Sequence, residues 1–459
     1  MKVSSSDRLG TDPILPLLLK LSLPGIVAMG IQALYNVIDS FFVAQVNEEA
    51  IAGLSVAFPM QLFLIALSVG TGVGTSSLIS RMLGKGDRNG AISVVEHVLV
   101  ISAIYSVVVF LIGFLLPESF IYIFTDDHLI AQYAFEYGRV ILMGASPLFF
   151  GFLISDALRG QGNTLIPMIG MVSGAITNIL LDPILIYGMG PIPRLEVQGA
   201  AIATVISKTV TFAVVFYELL IGENEVKPKF RDGLKNFKFN KEIIKNIYAV
   251  GLPAAVMQML ASIMISGLNI IVGNLNALAL SATGIYFRIQ SFVFMPVFGL
   301  NQGYIPLVGY NFSNGNAERV KKVIGYGALI ACGFTSLGFI GFQFIPEIIA
   351  GPFVESQELM DIVVTAFKTI SIAFPIIGPA IIGATTFQAI GKGIPSLTLS
   401  FFRQIILLLP IAYFLSLTGN LDLVWFAFPI SEFVSFIFMI IWLYITLKKE
   451  LIFAKFQRG

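Results

Sequence analysis

The stretch TLIPMIGMVSGAITNILLDPILIYG, from Thr164 to Gly188, holds 25 residues and one charge, Asp182. About 20 apolar residues suffice to cross a bilayer, so this run is long enough to span it. Its neighbours read the same way. Over 459 residues, 56% are hydrophobic and 12% are Asp, Glu, Lys or Arg. A soluble globular domain carries about twice that charge. The apolar content fills about a dozen spans. This excludes an ordinary soluble enzyme, a disordered chain and a nucleic-acid binder. A β-barrel is disfavoured because its alternating strands dilute hydrophobicity. The formal net charge of +1 points to no partner.

Breaks of charge, Gly and Pro predict twelve helices, near 13–44, 50–80, 92–116, 130–159, 164–188, 199–221, 244–272, 277–310, 320–345, 358–390, 395–417 and 422–447. The expected class is an all-α polytopic membrane protein with two pseudo-symmetric six-helix lobes. The lobes are 13–221 and 244–447, with a polar linker at 222–243, an N-terminal segment at 1–12 and a tail at 448–459. One set of helix ends gathers 21 of the 28 Lys and Arg residues, including Lys2, Arg81, Arg159, the run from Lys227 to Lys245 and Arg458. The opposite loops hold Arg194 and acids such as Glu48, Asp127 and Glu355. Basic loops face the cytoplasm, so both termini and the linker are expected there, in a multi-pass inner (plasma) membrane protein. The N-terminus has no cleavable signal pattern. Cys332 is alone, and His97 and His128 form no metal-ligand cluster.

The halves resemble each other. A shift of 229 residues lays Leu23-Pro24 on Leu252-Pro253, Gln61 on Gln290, Gly74 on Gly303, Gly86 on Gly315 and Gly162 on Gly391. Six helices per half give repeats of like orientation, related by an axis along the membrane normal. Two such lobes facing a cleft argue for a transporter rather than a channel, receptor or membrane enzyme.

A carboxylate inside a span is costly and functional by default. Asp39, Asp182 and Glu432 are such residues. At 1.5 Å per residue, Asp39 and Asp182 lie roughly 8–9 Å inside the outer boundary. Thr204 reaches the same depth from the outer end of its helix. Asn178 shares a face with Asp182, as Asn36 does with Asp39. Depth thus permits a cluster of Asp39, Asn178, Asp182 and Thr204. Two close carboxylates in low dielectric either share a proton or hold a cation between them, H+ or Na+. Lys208, one turn beyond Thr204, is a candidate charge partner for Asp182. Pro24 breaks one backbone bond in the helix that carries Asp39, and gives it a bending point. The second half has Leu268 at the position of Asp39, which confines coupling to the first. Arg288 and Glu432, both near mid-membrane, are expected either to pair or to touch substrate. Met29, Met60, Met143, Met257, Met264, Phe287 and Met295 offer an adaptable apolar surface for a cleft.

These residues resemble the multidrug and toxic compound extrusion (MATE) family over nearly the whole chain. The carriers are LYNVIDSFFVA (Leu34 to Ala44), SRMLGKGDRNGA (Ser80 to Ala91), LRGQGNTLIPM (Leu158 to Met168), NILLDPILIYG (Asn178 to Gly188), QGAAIATVIS (Gln198 to Ser207), ATGIYFRIQSF (Ala282 to Phe292) and PLVGYNFSNGN (Pro306 to Asn316). The resemblance implies a twelve-helix exporter driven by inward sodium or proton gradients, with no other cofactor. In its DinF-like branch the coupling residues match Asp39, Asn178, Asp182 and Thr204. The NorM-like branch uses acids in helices 7 and 10 that are missing here, so the DinF-like and MepA-like side is favoured. Typical family substrates are amphipathic, often cationic drugs and dyes, so the expected partners are such small molecules and membrane lipids, met by a monomer. The alternative within the superfamily is a flippase for lipid-linked oligosaccharide, which tends to have a more basic cavity and extra helices.

Overall fold

The computed structural model describes residues 7–228, 237–354 and 356–456, the last few without their side chains. Lys2, Lys229, Arg231, Lys235, Glu355 and Arg458 lie outside the described residues, as does the side chain of Lys455.

Ten helices among these residues are long and apolar enough to cross a membrane, and two bent pairs bring the number to twelve. In chain order they are α1 (Ile14–Ala44), α2 (Glu48–Gly84), α3 (Arg88–Leu115), the pair α4 (His128–Met143) and α5 (Ser146–Gly160), α6 (Leu165–Tyr187) and α7 (Glu196–Ile221). The second set is α8 (Lys241–Gly273), α9 (Ala277–Ser313), α10 (Ala317–Phe344), the pair α11 (Gln357–Ser371) and α12 (Phe374–Ala389), α13 (Gly393–Ser416) and α14 (Ala427–Phe456). The pairs bend by 52° and 54°. Both bends fall where a proline opens the second member, Pro147 or Pro375, and its missing N–H ends the preceding hydrogen-bond ladder.

The repeat is written in the helix ends. Asn47, Asp87 and Asp127 accept backbone N–H bonds as N-caps of α2, α3 and α4. Asn276, Asn316 and Ser356, each 229 positions later, do so for α9, α10 and α11. Such caps satisfy N–H groups that a helix start otherwise orphans. Gly86, Gly162 and Gly190 adopt positive φ, and so do Gly315, Gly391 and Gly419 at the same offset. These turns need the left-handed region that glycine enters freely.

The chain forms two compact units, residues 1–8 with 27–251, and residues 9–26 with 252–459. They follow the two halves except at two segments. In the first unit, the start of α8 lies on α2: a Cβ on Gly74 would meet Ile247 O at 2.1 Å, and one on Gly251 would meet Gly70 O at 2.7 Å. In the second, the start of α1 lies on α9: a Cβ on Gly299 would meet Ile26 N at 2.5 Å, and Ser22 Oγ donates to Leu300 O at 3.1 Å. Arg319 Nη2 donates to Leu9 O and Asp12 O, and fastens the chain start to this unit. α1 is unbroken through Pro24, which stands just before the point where the helix passes from one unit to the other.

The segment before α8 is held within the first unit. Asn240 N donates to Nε2 of buried His97 at 2.8 Å, while His97 Nδ1 meets Ser93 O at 2.7 Å. The ring of His97 also packs on Phe237 and Phe239. Cys332 is half-buried, beside Ser336.

Candidate functional site

The site grows from a close crossing of α6 and α7. Gly174 leaves no room for a side chain, since a Cβ would stand 2.3 Å from Thr211 Oγ1. Thr211 in turn donates to Gly170 O at 3.0 Å. This contact brings Asn178 and Asp182 of α6 against Thr204 of α7. The end of α6 is tied to α1 by Tyr187, whose hydroxyl donates to Phe42 O at 2.8 Å. Asp39, one turn before Phe42, thereby comes to Asp182.

The structure brings together the four residues that depth alone had grouped. Asn178 and Asp182 are fully buried and Thr204 is 8% exposed. Asn178 Nδ2 donates to Asp182 Oδ1 at 3.2 Å. Asp39 and Asp182 face each other closely enough for one proton to bridge them. Four buried oxygens lack hydrogen-bond partners: Asp39 Oδ1, Asn178 Oδ1, Asp182 Oδ2 and Thr204 Oγ1. Buried polar atoms are normally paired, so an orphaned set in one place needs a physical reason. A set of hard oxygens with few donors suits a proton or a small hard cation.

Sequence reasoning missed part of the surround. Tyr35, one turn before Asp39, and Tyr137 of α4 bring their hydroxyls toward Thr204. Gln61 Nε2 donates to the Tyr137 hydroxyl. The i−4 spacing of Tyr35 and Asp39 was the available signal. Lys208 turns its charge on Asp39 rather than Asp182, with Nζ 5.3 Å from the centroid of the Tyr35 ring. Asn36 is exposed, so it is no part of the buried group. Asp156 is a further acid within a span. It accepts from Arg159 Nη1 at 2.9 Å, and Arg159, expected to mark a basic helix end, is 6% exposed.

Beside the carboxylates lies a cavity of about 40 Å³, bounded by α1, α5, α6 and α7. Tyr35, Lys208, Ser155 and Arg159 line its polar parts, and Phe152 and Met171 its apolar ones. Met29, Met60 and Met143 do not line it. Met60 instead packs against the core of its unit, with Sδ near Gly138.

In the second unit Arg288 and Glu432, expected either to pair or to touch substrate, do not pair. Glu432 pairs with Arg403 Nη1 at 3.0 Å, and Arg288 is exposed. Arg403 sits in a π-helical turn, Phe402–Leu408. The buried Tyr286 hydroxyl lies near this pair without a hydrogen bond. Met264 and Phe287 pack on the core of this unit, Met257 Sδ accepts from Ser400 Oγ at 3.1 Å, and Met295 is half-buried. Among the described residues, no group of three or more His, Cys, Asp or Glu residues stands ready for a metal.

With this geometry in view, comparison with known proteins is specific. The MatE family profile matches residues 24–184 and 253–414, two stretches whose starts are 229 positions apart. The chain is 26% identical to the FAD transporter of Shewanella oneidensis over 93% of its own length and 94% of the relative's. It is 25% identical to the multidrug export protein MepA of Staphylococcus aureus, over 90% of each chain. A multidrug resistance MATE family transporter of the MOP superfamily, solved in an outward-facing conformation, superposes with a TM-score of 0.91 at 28% identity, covering 98% of this chain and 99% of that one. A MOP superfamily transporter from Pyrococcus furiosus, described as having a binding pocket of reverse polarity, gives 0.90 at 28% identity with the same coverage.

Proposed function

The chain belongs to the MatE family of multi-pass membrane transporters, which are not enzymes, and from that membership we propose that it exports small amphipathic compounds by antiport with H+ or Na+. The observation that carries the coupling part is the set of four unpartnered buried oxygens on Asp39, Asn178, Asp182 and Thr204. A proton shared by the two carboxylates, or a sodium ion among the four oxygens, relieves their mutual repulsion and satisfies the orphaned atoms. Tyr35 and Tyr137 border the carboxylate group, and Lys208 faces Asp39. Binding and release of the cation then alter how α1 sits against α6. Pro24, at the passage of α1 between units, is where the helix yields. Relatives named for drug export and for FAD transport support a small-molecule cargo. The basic helix ends support cytoplasmic termini, and we take the working unit to be a monomer.

Reconstitution into liposomes with a fluorescent dye tests this reading. A pH gradient and a sodium gradient are imposed in separate runs. Efflux driven by one of them is the expected result, and it also names the ion. Absence of driven movement under both counts against export.

A further inference from the structure

We propose that the cavity beside the carboxylates is an anion-recognising subsite, in which Lys208 and Arg159 receive a carboxylate or phosphate of the exported compound. The inference rests on the export reading and specifies its cargo. It shifts the preferred cargo from purely cationic compounds to zwitterions and amphipathic anions.

The charged residues that line the cavity are both cations, Lys208 and Arg159. Their states differ. Arg159 meets Asp156 through Nη1 and Met171 Sδ through Nη2 at 3.6 Å, but its Nε is buried with no partner. The charge of Arg159 is thus answered, while one of its N–H groups still lacks an acceptor. Lys208 makes no ion pair within 4 Å and no hydrogen bond among the described residues; the Tyr35 ring stands under its ammonium, and Asp39 acts on it from beyond contact. Three of the four hydroxyls that line the cavity are already committed, and the fourth, that of Tyr35, turns toward Thr204. Ser155 donates to Gly151 O, Ser207 to Thr204 O and Thr211 to Gly170 O. The donors left for a guest are Lys208 Nζ, Arg159 Nε and the Gln32 amide, and the two strong ones are cationic. Two cationic donors without acceptors call for an anion with two or more oxygens, the pattern met by carboxylate and phosphate. A volume of about 40 Å³ suits such a head group rather than a whole drug. The Phe152 and Met171 side chains offer apolar surface for what adjoins it.

The test uses two dyes that differ in one group: rhodamine B, which carries a free carboxylate at neutral pH, and its ethyl ester, which does not. Binding to the purified full-length protein is read by fluorescence anisotropy with no gradient present. Wild-type protein should bind the acid at least tenfold tighter than the ester. Lys208→Gln should bring the ratio close to one, and Lys208→Arg should keep it. The ratio is taken on one protein sample, so a general loss of binding does not imitate the effect. Should Lys208→Gln fail to fold, Ser155→Asp places a tethered carboxylate in the cavity and should abolish the preference. An equal ratio in wild type, or an unchanged ratio in Lys208→Gln, overturns the subsite while leaving export intact. Loss of the acid preference in nanodiscs of phosphatidylglycerol but not phosphatidylcholine would give the pocket to an anionic lipid head group and overturn the cargo assignment. If wild-type protein in liposomes moves neither dye under either gradient, the failure belongs to the export reading.

Discussion

Asn178 donates an amide hydrogen to Asp182 one turn along the same helix, at 3.2 Å, and leaves Asn178 Oδ1 and Asp182 Oδ2 free of partners. The pair acts as a single acceptor unit, with its donor already used internally. Asn178→Ala removes the one hydrogen bond that steadies the carboxylate. A hydrogen bond to a charged group is worth about 1.5–3 kcal/mol. The cation concentration giving half-maximal efflux should rise roughly tenfold or more, read as a titration in liposomes.

Asp39→Asn and Asp182→Asn each remove one of two facing carboxylates. Each should reduce gradient-driven efflux to the leak rate, with the protein still monodisperse on size exclusion. Efflux at the wild-type rate in either variant would show that the cation binds elsewhere.

Glu432→Ala leaves Arg403 without its partner. Breaking a fully buried pair costs about 3–5 kcal/mol. The side chain of Arg403 keeps 28% exposure and that of Glu432 12%, so about 1–3 kcal/mol is expected by the same reasoning. The thermal midpoint should drop in Glu432→Ala and recover in the double variant Arg403→Leu with Glu432→Leu. If the double variant melts as low as the single one, the pair is not what holds these helices.

Gly74→Ala and Gly299→Ala insert a methyl where backbone already stands, at 2.1 Å and 2.5 Å. Overpacking of this kind costs about 1–3 kcal/mol. Both variants should melt earlier than wild type. Gly325→Ala, where a Cβ meets nothing within 4 Å, is the control that should not.

His97→Ala removes the acceptor of the Asn240 N–H; Asn240 is exposed, so water takes the place of the ring and about 0.5–1.5 kcal/mol is lost. Hydrogen–deuterium exchange should accelerate by about threefold to tenfold in a peptide covering 237–245. Peptides from α9 should exchange as in wild type.

Much of the fold was legible because a bilayer imposes a length and a hydropathy that any apolar run must meet. The twelve expected runs match ten long helices and two bent pairs, and the offset of 229 returned in the caps and turns. The Asp39, Asn178, Asp182 and Thr204 group was legible because depth follows from counting residues. Depth says nothing about rotation around a helix axis, and there the reading failed. Arg288 and Glu432 share a depth but not a direction. Arg403, in the π turn at Phe402–Leu408, stands beside Glu432 instead. Asp156 escaped because it stands one turn from a helix end, where an acid reads as a boundary. The assignment of 9–26 and 241–251 to opposite units depends on contacts between 143 and 310 residues apart in the chain, which no local pattern carries.

That last arrangement has a consequence for how such a chain can be divided. A cut in the linker yields a first piece that lacks 241–251 of its own unit, and a second that lacks 9–26 of its own. Neither piece is complete, yet each holds what the other is missing. Co-expressed halves should therefore rescue one another while each alone is degraded.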